Sequence, residues 1–205
     1  QTGINMLHAT EKVVFIDSFV VDKDKFLSAY KLGKESGTLM PYSEAFPNDN
    51  ELSAEVTRTT VYVNELGDKM YYAYPNEGGI LKLFTRSKLK DEWSEGEIVR
   101  GLDNRVEEQA FPFVLSDGVT LYYAAQGGES IGGYDIFVTR YNADTKTFLR
   151  PENIGFPFNS PANDYLYAVD ELNQIGWFVT DRNQPVDKGC VYLFIPTVTR
   201  DVYDY

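Results

Sequence analysis

The chain has 205 residues, 43% of them hydrophobic, which is enough for one cored domain or several small repeats sharing a core. Lys plus Arg number 19 against 31 Asp plus Glu. The resulting formal charge of −12 repels phosphate backbones and anionic membrane surfaces, so nucleic acid is excluded as an expected partner. No apolar run approaches the ~20 residues of a membrane-spanning helix, and a single cysteine, Cys190, excludes an internal disulfide.

The start at Gln1 rather than Met leads us to expect a mature form whose leader has been removed. His8 is the only histidine. Val13–Ile16 and Phe19–Val21 are β-branched and aromatic and read as strand. Asp22–Lys25 reads as a polar turn. Phe26, Ser28, Tyr30 and Leu32 then share one face of a second strand; a helix over Lys25–Leu32 competes, with Gly33 and Gly37 to stop it. Residues 41–55, with Pro41, Pro47 and the polar run Asn48–Glu51, read as loop.

Regular units follow. In the first, Val61–Val63, Lys69–Ala73 and Leu81–Arg86 are strands around turns at Leu66-Gly67-Asp68 and Gly78-Gly79, with Ile98-Val99 as a fourth. In the second, Phe113–Leu115, Leu121–Ala125, Asp135–Arg140 and Lys146–Leu149 surround turns at Ser116-Asp117-Gly118 and Gly132-Gly133. In the third, Tyr165–Val169, Gly176–Val179 and Val191–Ile195 surround Glu171–Gln174 and the loop Asp181–Pro185, with Val198–Tyr205 as a fourth strand. Gly132–Arg140 repeats Gly78–Arg86 after 54 positions, and Leu121–Ala124 repeats Met70–Ala73 after 51. Asp-Gly between apolar runs is a strong hairpin signal.

A period near ~50 residues with four short strands per unit predicts an all-β fold, a β-propeller of four-stranded antiparallel blades. The repeats fall at about 12–55, 56–107, 108–159 and 160–205. That gives about four blades, five if residues 33–60 hide a degenerate one, or part of a larger propeller. Val13–Met40 reads as a partial first repeat lacking its innermost strand.

Ser116-Asp117-Gly118, Leu121-Tyr122-Tyr123 and Gly132-Gly133-Tyr134-Asp135-Ile136-Phe137 resemble the unit of the TolB-like, WD-repeat-like propeller family. Asn159-Ser160-Pro161-Ala162-Asn163-Asp164, followed by Tyr165-Leu166-Tyr167 and Gly176–Arg182, is similar to the blade-opening pattern of envelope propellers from Bacteroidetes. The resemblance covers residues 108–195 best. It departs from the pattern at Leu81 and Leu66, where the repeat's aspartates are absent. It implies a secreted, periplasmic or outer-membrane-associated binding module, with no shared catalytic residue to carry over.

The residues themselves offer little chemistry. Gly128-Glu129-Ser130-Ile131-Gly132 fits the G-x-S-x-G pattern, but a strand follows it where a nucleophile elbow needs a helix. One His and one Cys do not make an ordinary zinc site, and no EF-hand spacing follows Asp22 or Asp49. Cys190 sits in an apolar run and reads as a small buried hydrophobe. Asp117, Asp135, Asp164 and Asp181 are conceivable glycosidase carboxylates. A turn role competes: an Asx turn at Asp117, and a bond from Asp135 to its preceding glycine turn. Tyr134, Tyr165, Trp93 and Trp177 are aromatics able to stack on a sugar or anchor a peptide.

The expected ligand-binding set is therefore Tyr134, Asp135, Asp164, Tyr165, Asp181 and Arg182, with no catalytic residue, metal or cofactor. The expected function is a non-enzymatic cell-envelope propeller that binds an envelope protein or a glycan or peptidoglycan-associated partner. A carbohydrate-active enzyme with an acidic loop-face site, and a structural fragment of a longer envelope protein, are the alternatives.

Overall fold

The computed structural model describes residues 13–102, 106–128 and 130–196. The fold is all-β, built from three antiparallel sheets. Sheet I comprises β2 (Thr38–Pro41), β3 (Thr60–Val63), β4 (Lys69–Pro75), β5 (Leu81–Leu89), β6 (Glu92–Trp93) and β7 (Glu97–Ile98). Sheet II comprises β8 (Val106–Val114), β9 (Thr120–Gly127), β10 (Asp135–Asn142), β11 (Thr147–Phe148) and β12 (Glu152–Asn153). Sheet III comprises β13 (Asp164–Asp170), β14 (Ile175–Thr180), β15 (Lys188–Ile195) and, at its edge, β1 (Val14–Asp22).

The repeat count leads to four or five sheets, whereas the described residues form three. The reason is the placement of residues 12–55. They build no sheet of their own: β1 pairs antiparallel with β15, and β2 pairs with β3. Alternation of apolar residues marks a strand without naming its partner. Val198–Tyr205 and His8 lie outside the described residues. The Phe26–Leu32 segment is not a strand. It forms a 3-10 turn, Phe26–Ala29, and a second such turn spans Lys34–Ser36. That curl lets Phe26 and Tyr30 both bury against sheet III, with Tyr30 5.9 Å from Trp177 and its hydroxyl donating to Leu166 O. The loop expected at 41–55 contains two one-turn helices, α1 (Tyr42–Ala45) and α2 (Ala54–Thr57).

Sheet II lies in the middle. β8 packs on β3, β4 and β5 of sheet I, and β13 of sheet III packs on β8, β9 and β10. Burial on both faces explains why Leu121–Ala125 and Tyr165–Val169 are uninterrupted apolar runs. One core runs through all three sheets, and a smaller one under the short helices joins Tyr42, Val56, Val61, Met70, Tyr72 and Leu81. Cys190 is buried in that fabric, as its apolar setting predicts. No helix among the described residues is long and apolar enough to cross a membrane.

The first strands of sheets II and III carry the same irregularity. β8 bulges between Ala110 and Phe113 with Phe111 at φ 54°, and β13 bulges between Tyr165 and Ala168 with Leu166 at φ 52°. A bulge adds a residue and re-aims its side chain. Here Phe111 is turned onto Tyr165, 4.6 Å away, so the bulges serve the packing between the two sheets.

Candidate functional site

Among the described residues, polar side chains gather at the loop junction between sheets II and III and in a cleft between sheets I and II at the opposite end of the strands.

The loop junction contains the residues expected from sequence. Asp135 opens β10 and Asp164 opens β13, and both are fully buried. Each closes the loop before it through the residue four positions back. Asp135 Oδ2 accepts from Ile131 N at 2.6 Å and Asp164 Oδ2 accepts from Ser160 N at 2.6 Å. Asn153 Nδ2 also donates to Asp135 Oδ2, at 2.8 Å, while Asp135 Oδ1 is buried with no partner among the described residues. Burial pushes the Asp135 carboxyl above its usual range, the bonds from Ile131 and Asn153 oppose this, and the neighbouring Asp164 charge adds to it. Burial likewise raises Asp164, against bonds from Thr180 and Ser160 and the charge of Arg182.

Arg182 is the cation beside Asp164. It donates to Asp164 Oδ1 at 3.0 Å, to Pro157 O at 3.2 Å, to Phe158 O and to Thr180 Oγ1. Asp181 accepts from Asn163 N and Asn163 Nδ2, both at 2.8 Å, and pairs with Lys23 at 3.3 Å. Burial raises the Asp181 carboxyl, but the Asn163 bonds and Lys23 outweigh it and hold it low. Tyr134 N donates to Asn163 Oδ1 and its hydroxyl donates to Glu108 Oε2 at 2.6 Å. Tyr165, expected as a ligand-binding ring, lies in β13 and is buried. It is 7% exposed and packs between Phe26 and Phe111, and Trp177 is buried too.

The structure thus places all six expected residues at one junction, where Asp135, Asp164, Asp181 and Arg182 hold backbone, Tyr134 bonds Glu108 and Tyr165 packs in the core. Sequence reasoning missed the asparagines that do much of the joining. Asn159 bonds both N and O of Ile136, and Asn163 links Asp181 to Tyr134. Three asparagines, at 153, 159 and 163, stand within eleven residues of a loop, and that density is the signal available in the sequence. The turn roles are present in the structure: Asp117 accepts from Val119 N, Thr120 N and the Thr120 hydroxyl. Ser130 of the G-x-S-x-G stretch sits in a turn, its hydroxyl accepting from Gly127 N.

The cleft has a volume of about 840 Å³. Its walls come from the β3–β4 turn, the strand end around Glu97–Arg100, the β8–β9 turn and the β10–β11 hairpin. Tyr62, Tyr71 and Phe148 form its buried floor and Tyr141 stands at its mouth, 38% exposed. Burial raises Tyr71 to about 12 against a bond from Thr85, so its phenol is neutral at physiological pH. Glu35, Glu65, Glu97, Lys69, Arg100 and Lys146 are its charged lining. None of these six belongs to the expected set, because a cleft is a product of how two sheets meet.

Among the described residues, no group of three or more His, Cys, Asp or Glu side chains is placed to hold a metal. Comparison with protein-family profiles, with curated proteins and with solved structures gives no match.

Proposed function

We propose that the chain is a non-enzymatic binding module of the propeller type, its three sheets acting as blades and the cleft between sheets I and II as its ligand site. The observation that carries this reading is the commitment of the acidic residues. Asp117, Asp135, Asp164 and Asp181 each accept bonds that close or join loops, as a structural carboxylate does. The cleft, by contrast, combines an aromatic floor with exposed polar groups of both signs, the usual make-up of a ligand site. The TolB-like repeat resemblance supports a cell-envelope setting, with an envelope protein or a glycan as partner.

Hydrogen–deuterium exchange with and without a solubilised envelope fraction tests this. Protection over 64–69, 97–100 and 141–148 is expected. Protection confined to 131–134 and 156–163 would move the site to the loop junction. Glycan hydrolysis that disappears on Asp135→Asn or Asp164→Asn would replace the binding module with an enzyme.

A further inference from the structure

The composition of the cleft says what it takes. Tyr141 is an exposed ring on a firm support, packed edge-to-face on its strand partner Phe148 at 5.2 Å, which in turn meets Tyr71 at 6.5 Å. Two further apolar side chains flank the opening, Leu66 at 81% and Ile98 at 47% exposed. A ligand that covers them must itself present apolar faces. Around these surfaces the ionic groups balance: three carboxylates against three cations, on a chain whose overall charge is −12. An anionic ligand would meet the glutamates and a cationic one Lys69, Arg100 and Lys146, so charge attraction selects neither. Among the described residues, the side chains of Glu97, Arg100 and Lys146 make no hydrogen bond, which leaves both acceptors and donors free at the rim.

Resting on the reading of the cleft as the binding site, we infer that its ligand is an uncharged oligosaccharide. A pyranose ring offers a C–H face to Tyr141 and the apolar rim. Its hydroxyls donate to Glu97 and accept from Arg100 and Lys146, using both kinds of group at once.

The test is titration of the full chain with neutral hexasaccharides of glucose, N-acetylglucosamine and mannose, with hexagalacturonate, and with short acidic and basic peptides. Binding is followed by calorimetry and by backbone amide shifts. At least one neutral hexasaccharide is expected to shift signals in 64–69, 97–100 and 141–148. Tyr141→Ala and, independently, Arg100→Ala are expected to weaken it about tenfold, with the melting temperature of the exposed Arg100 variant unchanged. Cleft shifts with hexagalacturonate or a peptide alone would overturn the neutral-sugar inference and leave the binding-module reading standing. No cleft shift with any probe would overturn both. A neutral sugar that binds with undiminished affinity in both variants would place its site elsewhere and overturn the inference.

Discussion

The two junctions between sheets use the same sequence motif in different physical ways. At the junction of sheets II and III, Gly132 and Gly133 are pressed against the loop that opens sheet III. A Cβ on Gly132 would lie 1.9 Å from Pro161 O, and one on Gly133 2.0 Å from Asn163 Oδ1. The matching pair in sheet I, Gly78-Gly79, meets no such neighbour. Gly79 has φ +79° and nothing within 4 Å, so it is a glycine for its backbone angle alone. The interior follows suit. Between sheets II and III, Tyr122 and Tyr167 stack at 4.1 Å, and Phe158 plugs the space beside Tyr167, Phe178 and Phe194. Between sheets I and II, Tyr71 and Phe148 stand 6.5 Å apart, and the cleft opens beside them. One junction is a fixed joint, and the other leaves room for a ligand.

The largest effect is expected at the glycines. Gly132→Ala drives a methyl into backbone that is tied on both sides, and should cost about 3 kcal/mol in a denaturant titration. Gly78→Ala meets only the side chain of Asn76, at an ordinary 3.4 Å, and should change stability by less than about 0.5 kcal/mol. Equal costs at the two sites would remove the distinction between the junctions.

Next comes Arg182→Met, which leaves Asp164 buried without its cation. Loss of a buried ion-pair partner costs roughly 3–5 kcal/mol, and the partial exposure of Arg182 reduces the expected value to about 2 kcal/mol. Asn163→Ala removes the link between Asp181 and the β9–β10 loop and should cost about 1–2 kcal/mol by the same measurement. Fast hydrogen exchange at Tyr134 N, which loses its acceptor, should accompany it, with Asp181 N still bonded to the main-chain carbonyl of residue 163 and the cleft end unchanged.

The smallest effect is a pH dependence. Asp181 is held low in the folded state, so its stabilisation is present above the unfolded value of about 4 and is lost as pH falls through the lower folded value. Asp181→Asn should therefore flatten the fall in melting temperature below about pH 4. Asp135 and Asp164 are raised and act in the opposite sense, losing stability as pH climbs from about 4 to their folded values. An unaltered acid limb in Asp181→Asn would mean that Asp181 does not carry the charge linkage of this joint.

Much of the architecture was legible locally. Asp117-Gly118 makes the turn its residues specify, with Gly118 at φ +71°, and β3, β4, β5, β9 and β10 appear where alternation and turn residues place them, whereas β8 begins at Val106, well ahead of the expected Phe113–Leu115. The meeting of Tyr134, Asp135, Asp164, Tyr165, Asp181 and Arg182 at one junction comes from the structure, since spacing along the chain does not show which loops meet. A specific turn role is legible in the sequence for Asp117 and Asp135; the backbone bonds of Asp164, Asp181 and Arg182 are not. The 3-10 turns near Phe26 were misread because alternating Phe26, Ser28 and Tyr30 look the same whether a strand or a tight turn buries them.

The sequence by itself determined most of the strands of the regular units, where their hairpins turn, and that the chain is acidic, because these follow from side-chain period, φ preference and charge. Only the tertiary structure decided that β1 closes sheet III against β15, that Gly132 and Gly133 serve contact rather than backbone angle, and that the open space lies between sheets I and II. Pairing across the length of the chain and the volume left between two sheets depend on which side chains meet, and no single strand carries that information.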